Sequence, residues 1–233
     1  PAEMQFTGFD VTNTSCNGIC DGEIYKLKEL ADKLQCEFRG DPELQIDLAL
    51  DDRVVDIVSE GFDLAIRIAD LETSSLIARR LAPINLVVCA SPAYLQQHGH
   101  PATPQDLTKH QCLGYTYYSD RDRWRLESAQ GIEEVQVNGR FCANNGDALR
   151  IAALAGHGLV LQPTFIVGDD LRSGRLVRVM PDYAVKPLNV YAVYAHRQYL
   201  SNKVRAFVEF LGNEFGELPS WDRGLTDLQP AIA

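Results

Sequence analysis

No run in this 233-residue chain approaches the roughly 20 consecutive apolar residues that a membrane helix needs, so a bilayer-spanning helix is not expected. There is no block of Lys or Arg either. The 22 basic residues face 32 acidic ones, for a formal charge of −10 and an isoelectric point near 4.9. Binding to nucleic acid rests on neutralising phosphates, so this chain alone is a poor candidate for it. The nucleophile elbow G-x-S-x-G, the Walker loop, H-E-x-x-H and C-x-x-C are all missing, which removes the usual signatures of hydrolase, nucleotide and metalloprotease chemistry. A G-x-G occurs at Gly156–Gly158, but no third glycine follows at the required spacing, and it ends a helical pattern rather than opening one. The five histidines (98, 100, 110, 157 and 196) are dispersed. No metal, no cofactor and no enzymatic activity are expected.

Cysteine is scattered. Cys36, Cys89, Cys112 and Cys142 stand apart, and Cys16 and Cys20 have three residues between them rather than the two of a zinc knuckle, with no histidine nearby. Reduced structural thiols in a cytoplasmic protein are the expectation, with a Cys16–Cys20 disulfide or an incidental metal as the alternatives. No signal-peptide pattern opens the chain. The start at Pro1 without an initiator Met implies a processed or truncated product with a part missing upstream.

The apolar content of 45% and charged content of 23% are those of an ordinary globular chain with ample residues for a core. Its most informative stretch is LQIDLALDDRVVDIVSEGFDLAIRIADL, residues 44 to 71. Leu44, Ile46, Leu48 and Leu50 alternate with Gln45, Asp47 and Ala49, the period of a half-buried strand. Asp51-Asp52 can cap a short helix with Val54, Val55, Ile57 and Val58 on its apolar face, and Gly61 stops it. Asp63 to Ile68 is then a second strand with Arg67 near its C-terminal end. Together with a strand at Phe6 to Thr12 and a helix in which Ile24, Leu27, Ala31 and Leu34 share a face, residues 6 to 70 read as β-α-β-α-β, which predicts a parallel sheet.

Further along, Ile84 to Ala90 is an apolar strand, Ser91-Pro92 opens a helix, and Thr103-Pro104-Gln105-Asp106 repeats that start signal. From about 111 to 143 short strand patterns alternate with turns, and Asn138-Gly139 is a hairpin signal. Helical patterns cover 148 to 155 and Thr164 to Leu171, with Gly174 as the stop, and Leu188 to Ala195 is a long apolar strand. Ser201 caps a helix with Val204, Phe207, Val208 and Leu211 on one face. After Gly216 periodicity fades, as in a loosely held terminus. The expected organisation is α/β with two Rossmann-like lobes. Residues 1–89 plus 188–216 form the first, 90–187 the second and 217–233 a tail, with a cleft between the lobes as the binding site.

Three polar elements stand where a ligand would be met. The loop Thr12-Asn13-Thr14-Ser15 follows a strand and precedes a helix, so its hydroxyls and free N–H groups can hold an anion, or form an ordinary turn. Arg67 lies at a strand's carboxyl end, where ligands of open α/β sheets bind. It can grip a carboxylate with two parallel hydrogen bonds, or pair internally with Asp51, Asp52 or Asp70. Asn144-Asn145-Gly146-Asp147 can present amides and a helix N-terminus, or only cap that helix. Tyr115, Tyr117 and Tyr118 read as packing residues, with stacking on an aromatic ligand as the alternative.

Four ordered blocks carry a resemblance. They are residues 44 to 71, NNGDALRIAALAGHGLVLQP (144 to 163), DLRSGRLVRVMPDY (170 to 183) and VYAVYAHRQYLSNKVRAFVEFL (190 to 211). The chain resembles the effector-binding domain of LysR-type transcriptional regulators over about residues 44 to 215. The resemblance implies two α/β lobes similar to type 2 periplasmic binding proteins and a small-molecule effector between them. It also implies a homodimer or homotetramer, with helix 24–36 and strand 44–50 of one subunit facing the second lobe of another, and a winged helix-turn-helix upstream that contacts DNA. It maps the effector-binding positions onto Thr12, Asn13, Thr14 and Ser15, Arg67, Asn145 and Asp147, and Gln162-Pro163-Thr164. The expectation is a sensor in which an anionic metabolite controls DNA binding by the upstream module. A periplasmic-type solute-binding protein and an assembly-only domain without effector are the alternatives.

Overall fold

The computed structural model describes residues 4–10, 23–26, 45–48, 56–69, 77–117, 122–194, 201–216 and 218–225. The chain divides into two compact units. One takes its residues from Glu3–Pro83 and Asn189–Pro219, the other from Ile84–Leu188 and Ser220–Ala233.

The first unit is built on a six-stranded sheet. Its strands are Met4–Asp10 (β1), Glu23–Lys26 (β2), Gln45–Leu48 (β3), Leu64–Ala69 (β4), Ile77–Ile84 (β5) and Leu188–Tyr194 (β13), in the order β2-β3-β1-β4-β13-β5. β4 lies between β1 and β13, and its residues Leu64 to Ile68 are all buried, which is why it reads as a near-continuous apolar run. In the same unit, the helix Asn202–Phe215 (α4) starts at Ser201, whose side chain accepts the Val204 N–H at 3.2 Å. The expected face of Val204, Phe207, Val208 and Leu211 is buried, and Phe210 joins it.

The parallel order expected for residues 6 to 70 is not what forms. β1 runs antiparallel to β3 and to β4, and β2 runs antiparallel to β3, with Glu23 opposite Leu48 and Lys26 opposite Gln45. Parallel neighbours need a crossover of about a dozen residues, usually a helix, whereas antiparallel ones do not. The helix expected from Ile24 fails at its first turn because Glu23-Ile24-Tyr25-Lys26 is itself a strand, with a β-branched and an aromatic residue at its centre. Residues 27–44 and 49–55 lie outside the described residues. The short helix expected before Gly61 is a turn over residues 56–61 where described, closed by Phe62 N–H donating to the Ile57 carbonyl at 2.9 Å. Gly61 takes the left-handed φ of 78° that such a stop requires. Ile57 is in the core, but Val58 points outward at 67% exposure, against the expectation that both share an apolar face.

The second unit holds a five-stranded sheet of Cys142–Ala143 (β10), Cys112–Tyr115 (β7), Leu159–Pro163 (β11), Leu86–Ala90 (β6) and Val177–Arg178 (β12), in that order. β10, β7 and β11 are mutually parallel neighbours, while β6 is antiparallel to both β11 and β12. β6 therefore belongs to this unit's sheet, not to the first lobe where the sequence reading placed it. A hairpin of Arg123–Ser128 (β8) and Gly131–Gln136 (β9) turns at Ala129-Gln130. Helices Pro92–His98 (α1), Gly146–Leu154 (α2) and Thr164–Arg172 (α3) and the 3-10 helix Pro104–Lys109 complete the unit. One core gathers Val88, Ala90, Tyr94, Leu95, Leu107, Trp124, Leu126, Val135, Val137, Leu159, Val179 and Met180.

Two start signals hold: Ser91 accepts the Tyr94 N–H, and Thr103 and Asp106 form a capping box. The hairpin signal Asn138-Gly139 does not. That dipeptide passes alongside β7, where Asn138 O accepts the Cys112 N–H at 2.9 Å, and a Cβ on Gly139 would lie 1.7 Å from the Cys112 carbonyl oxygen. Its glycine serves a close backbone approach rather than a turn. The tail also departs from expectation. Residues 220–225 are docked on α3, with the Trp221 ring edge-on to Phe165 at 6.2 Å and Asp222 buried.

Candidate functional site

In the second unit, the candidate residues collect around the start of α2. Asn145 is its N-cap, and the Asn145 Oδ1 accepts the Ala148 N–H at 2.9 Å. Gly146 opens the helix and is buried. A Cβ there would lie 2.5 Å from Ile166 Cδ1 on α3 and 3.3 Å from Gln162 Oε1 on β11. The glycine thus lets the helix start approach the Gln162 amide. Gln162 is 0% exposed, and among the described residues neither its Nε2 nor its Oε1 has a hydrogen-bond partner. A buried amide costs roughly 1–3 kcal/mol when left unsatisfied, so native interiors seldom keep one without a use.

Pro163 ends β11 and precedes α3, and Thr164 begins that helix fully buried. The Thr164 N–H and hydroxyl both donate to the Asn85 carbonyl, at 2.9 and 3.3 Å. Asp147 lies in the first turn of α2 but faces outward, with its carboxylate 4.0 Å from the Arg150 guanidinium. There it complements the positive end of the helix.

Beneath these residues is a charged arrangement that sequence reasoning missed. Asp170 is 0% exposed on the inner face of α3, hydrogen-bonded by Arg150 Nε from α2 and 2.6 Å from Arg175 Nη2. This ties α2 to α3 and so fixes the two helix starts that flank Gln162. The bond to Asp170 raises the Arg150 pKa above its ordinary value. Cys89 on β6 is pushed up to about 12, first by burial and then by the Asp170 charge, which makes it an inert thiol. A signal was available: Asp170 falls three residues after Val167, on the apolar stripe of its own helix.

Arg67 belongs to the first unit. It lies on β4 opposite Gln5 of β1 and Tyr191 of β13, and is 7% exposed. Thr12, Asn13, Thr14 and Ser15 lie outside the described residues, as do Asp51, Asp52 and Asp70. Within the second unit Asn145, Gly146 and Gln162 are brought together, with Thr164 one residue beyond Pro163. Tyr115 is buried and packs edge-on to Tyr117 at 5.8 Å, and the Tyr117 hydroxyl accepts from Asn144 Nδ2 at 3.4 Å. Among the described residues no group of three or more His, Cys, Asp and Glu could hold a metal ion, and no helix is long and apolar enough to cross a membrane.

Residues 38–216 match the family model of the LysR substrate binding domain. The HTH-type transcriptional regulator DmlR of Escherichia coli K12 is 39% identical over 180 residues, covering 76% of this chain and 57% of that protein. The chain spans a little over half the length of the curated relatives it matches. Among solved structures, the full-length virulence activator AphB of Vibrio cholerae, a member of the LTTR family, superposes with a TM-score of 0.64 at 30% identity. That match covers 74% of this chain and 58% of AphB. The regulatory domain of CrgA, a LysR-type transcriptional regulator of Neisseria meningitidis, gives 0.61 at 33% identity, covering 68% of this chain and 78% of that domain.

Proposed function

Because the chain belongs to the LysR substrate-binding domain family, a family of transcriptional regulators rather than enzymes, we propose that it senses a small anionic metabolite held between its two lobes. On this reading Gln162 and the start of α2 meet one part of the effector. The amide offers a donor and an acceptor, and the helix N-terminus favours negative charge. Arg67 contributes from the first lobe a guanidinium suited to a carboxylate. Thr12, Asn13, Thr14 and Ser15 add hydroxyls and amides, Asn145 and Asp147 border the helix start, and Pro163 and Thr164 hold Gln162 in place. The observation that carries the reading is the buried, unpartnered amide of Gln162 beside a glycine that opens a capped helix.

Effector binding would shift a homodimer or homotetramer between arrangements, and so alter how winged helix-turn-helix modules sit on DNA. The shift can be no larger than the effector's differential affinity for the arrangements. The test is a thermal-shift screen of this chain against metabolite acids, aromatic acids and their neutral analogues. A ligand that binds only the folded state stabilises it by about 2.7 kcal/mol at a hundred times its Kd. The expected result is a selective anionic hit that Arg67→Ala and Gln162→Met each abolish. A hit that survives both substitutions, or a neutral analogue that stabilises equally, overturns the assignment of an anion to these residues. Silence across a broad panel favours an assembly-only domain.

A further inference from the structure

The chain passes between its two units at 83/84, at 188/189 and again at 219/220. The third passage leads into the 3-10 turn Ser220–Asp222 and the residues to Leu225. Several contacts among the described residues dock it. Arg172 Nη1 donates to the carbonyls of Trp221 and Arg223, at 3.0 and 3.1 Å, while its Nη2 is braced by Asp169 at 2.8 Å. The Trp221 ring packs edge-on to Phe165. Gly168 admits the Trp221 carbonyl to the helix surface, where a Cβ would stand 3.2 Å from that oxygen. The carboxylate of Asp222, 3% exposed, accepts Asn85 Nδ2 at 2.9 Å.

Asn85 is the second residue after the first passage, and it is gripped from both sides. Its amide is held by Asp222 of the tail, and its carbonyl by the N–H and hydroxyl of Thr164, the first residue of α3. We propose that residues 220–225 are a releasable strap that clamps Asn85 just past the first passage and thereby fixes the start of α3. The docked state carries a cost that favours release: the second carboxylate oxygen of Asp222 is buried with no hydrogen-bond partner among the described residues. Short segments with few buried apolar contacts open at the low end of a protein's local stabilities. The strap acts on backbone positions and does not require an effector, so its test stands apart from the sensing reading.

The test is hydrogen exchange by mass spectrometry on the full 233-residue chain without ligand, comparing it with Asp222→Ala, Asp222→Asn and Arg172→Ala. Exchange should rise about tenfold, the equivalent of 1.4 kcal/mol, in peptides covering 220–225 and in those covering the start of α3 in Asp222→Ala. Asp222→Asn keeps an acceptor oxygen for the Asn85 amide and should retain protection in both. Arg172→Ala leaves no buried charge behind and reports on undocking even if Asp222→Ala does not fold. A strap that comes free in any variant while the start of α3 keeps its protection overturns the proposal, because the segment is then a passenger. So does unchanged exchange at 220–225 in both Asp222→Ala and Arg172→Ala.

Discussion

The Tyr94 hydroxyl lies 3.1 Å from Nδ1 of His110 and accepts the Gln111 N–H at 2.9 Å. The direction of that bond follows the imidazole tautomer: the phenol donates to Nδ1 when that nitrogen is unprotonated and accepts from it otherwise. Burial first, and the neighbouring His98 second, lower the His110 pKa below its ordinary 6.5, with Asp106 acting in the opposite sense. A lowered pKa in the folded state means that the unfolded chain binds the proton more readily. The contribution of His110 to stability is therefore complete above pH 6.5 and is lost as pH falls through the folded-state value. Urea unfolding should show a midpoint that drops from pH 7.5 to 5.5, with a slope from this residue no steeper than about 1.4 kcal/mol per pH unit. In His110→Asn that part of the slope should vanish. Equal pH dependence in the two proteins would contradict the assignment.

Gly139 and Gly61 separate two reasons for a glycine. A Cβ on Gly139 would sit 1.7 Å from the Cys112 carbonyl oxygen, so Gly139→Ala must push β7 and the 138–140 segment apart. We expect a loss of more than about 3 kcal/mol, or no folding. Gly61 meets nothing within 4 Å but holds φ at 78°. Its alanine variant should lose only about 1 kcal/mol, the left-handed penalty. Thermal midpoints of the two variants would rank them, and equal losses would show that the close approach at Cys112 is not a constraint.

Gln162→Met should leave the unliganded chain as stable as before, or raise its thermal midpoint. The substitution removes two buried polar atoms that have no partner and keeps the side chain's length. Most buried Gln residues behave in the opposite way because their replacement breaks hydrogen bonds. A loss of more than about 1 kcal/mol would mean that the amide is satisfied in the folded chain, and would remove its claim to an effector.

Thiol accessibility should divide the described cysteines sharply. Cys142 is exposed on β10, whereas Cys89 and Cys112 are buried, and burial holds both thiols up at about 12. Peptide mapping after iodoacetamide treatment at pH 8 should find Cys142 alkylated and Cys89 and Cys112 protected until denaturant is added. Early labelling of Cys89 would indicate that the layer formed by β6, α2 and α3 opens readily in the native state.

The helices of both units were legible because their signals are local. Ser91-Pro92, Thr103 with Asp106 and Ser201 each start a helix through bonds to residues three positions on, and Gly174 stops α3 with a φ of 71°. The candidate cluster was legible in part. Asn145 is recognisable as a cap from its neighbours, and Arg67 stands out as a charge in an apolar strand. That Gln162 would lie against Gly146 was not readable from residue type, since it depends on how β11 and α3 pack against α2. Asp170 and its two arginines are the same kind of case.

The sequence by itself determined the α/β character, the helix starts and stops, the apolar faces of α4 and β4, and the regulator family, since each rests on residue type and short spacing. Tertiary structure alone decided the antiparallel order of β1, β2 and β3, the contact of Gly139 with Cys112, and the bond between Asn85 and Asp222, 137 residues apart. Those choices depend on which distant backbone groups find partners once the core closes, and a buried donor or acceptor is satisfied by whichever segment the packing brings to it, not by its neighbours in the chain.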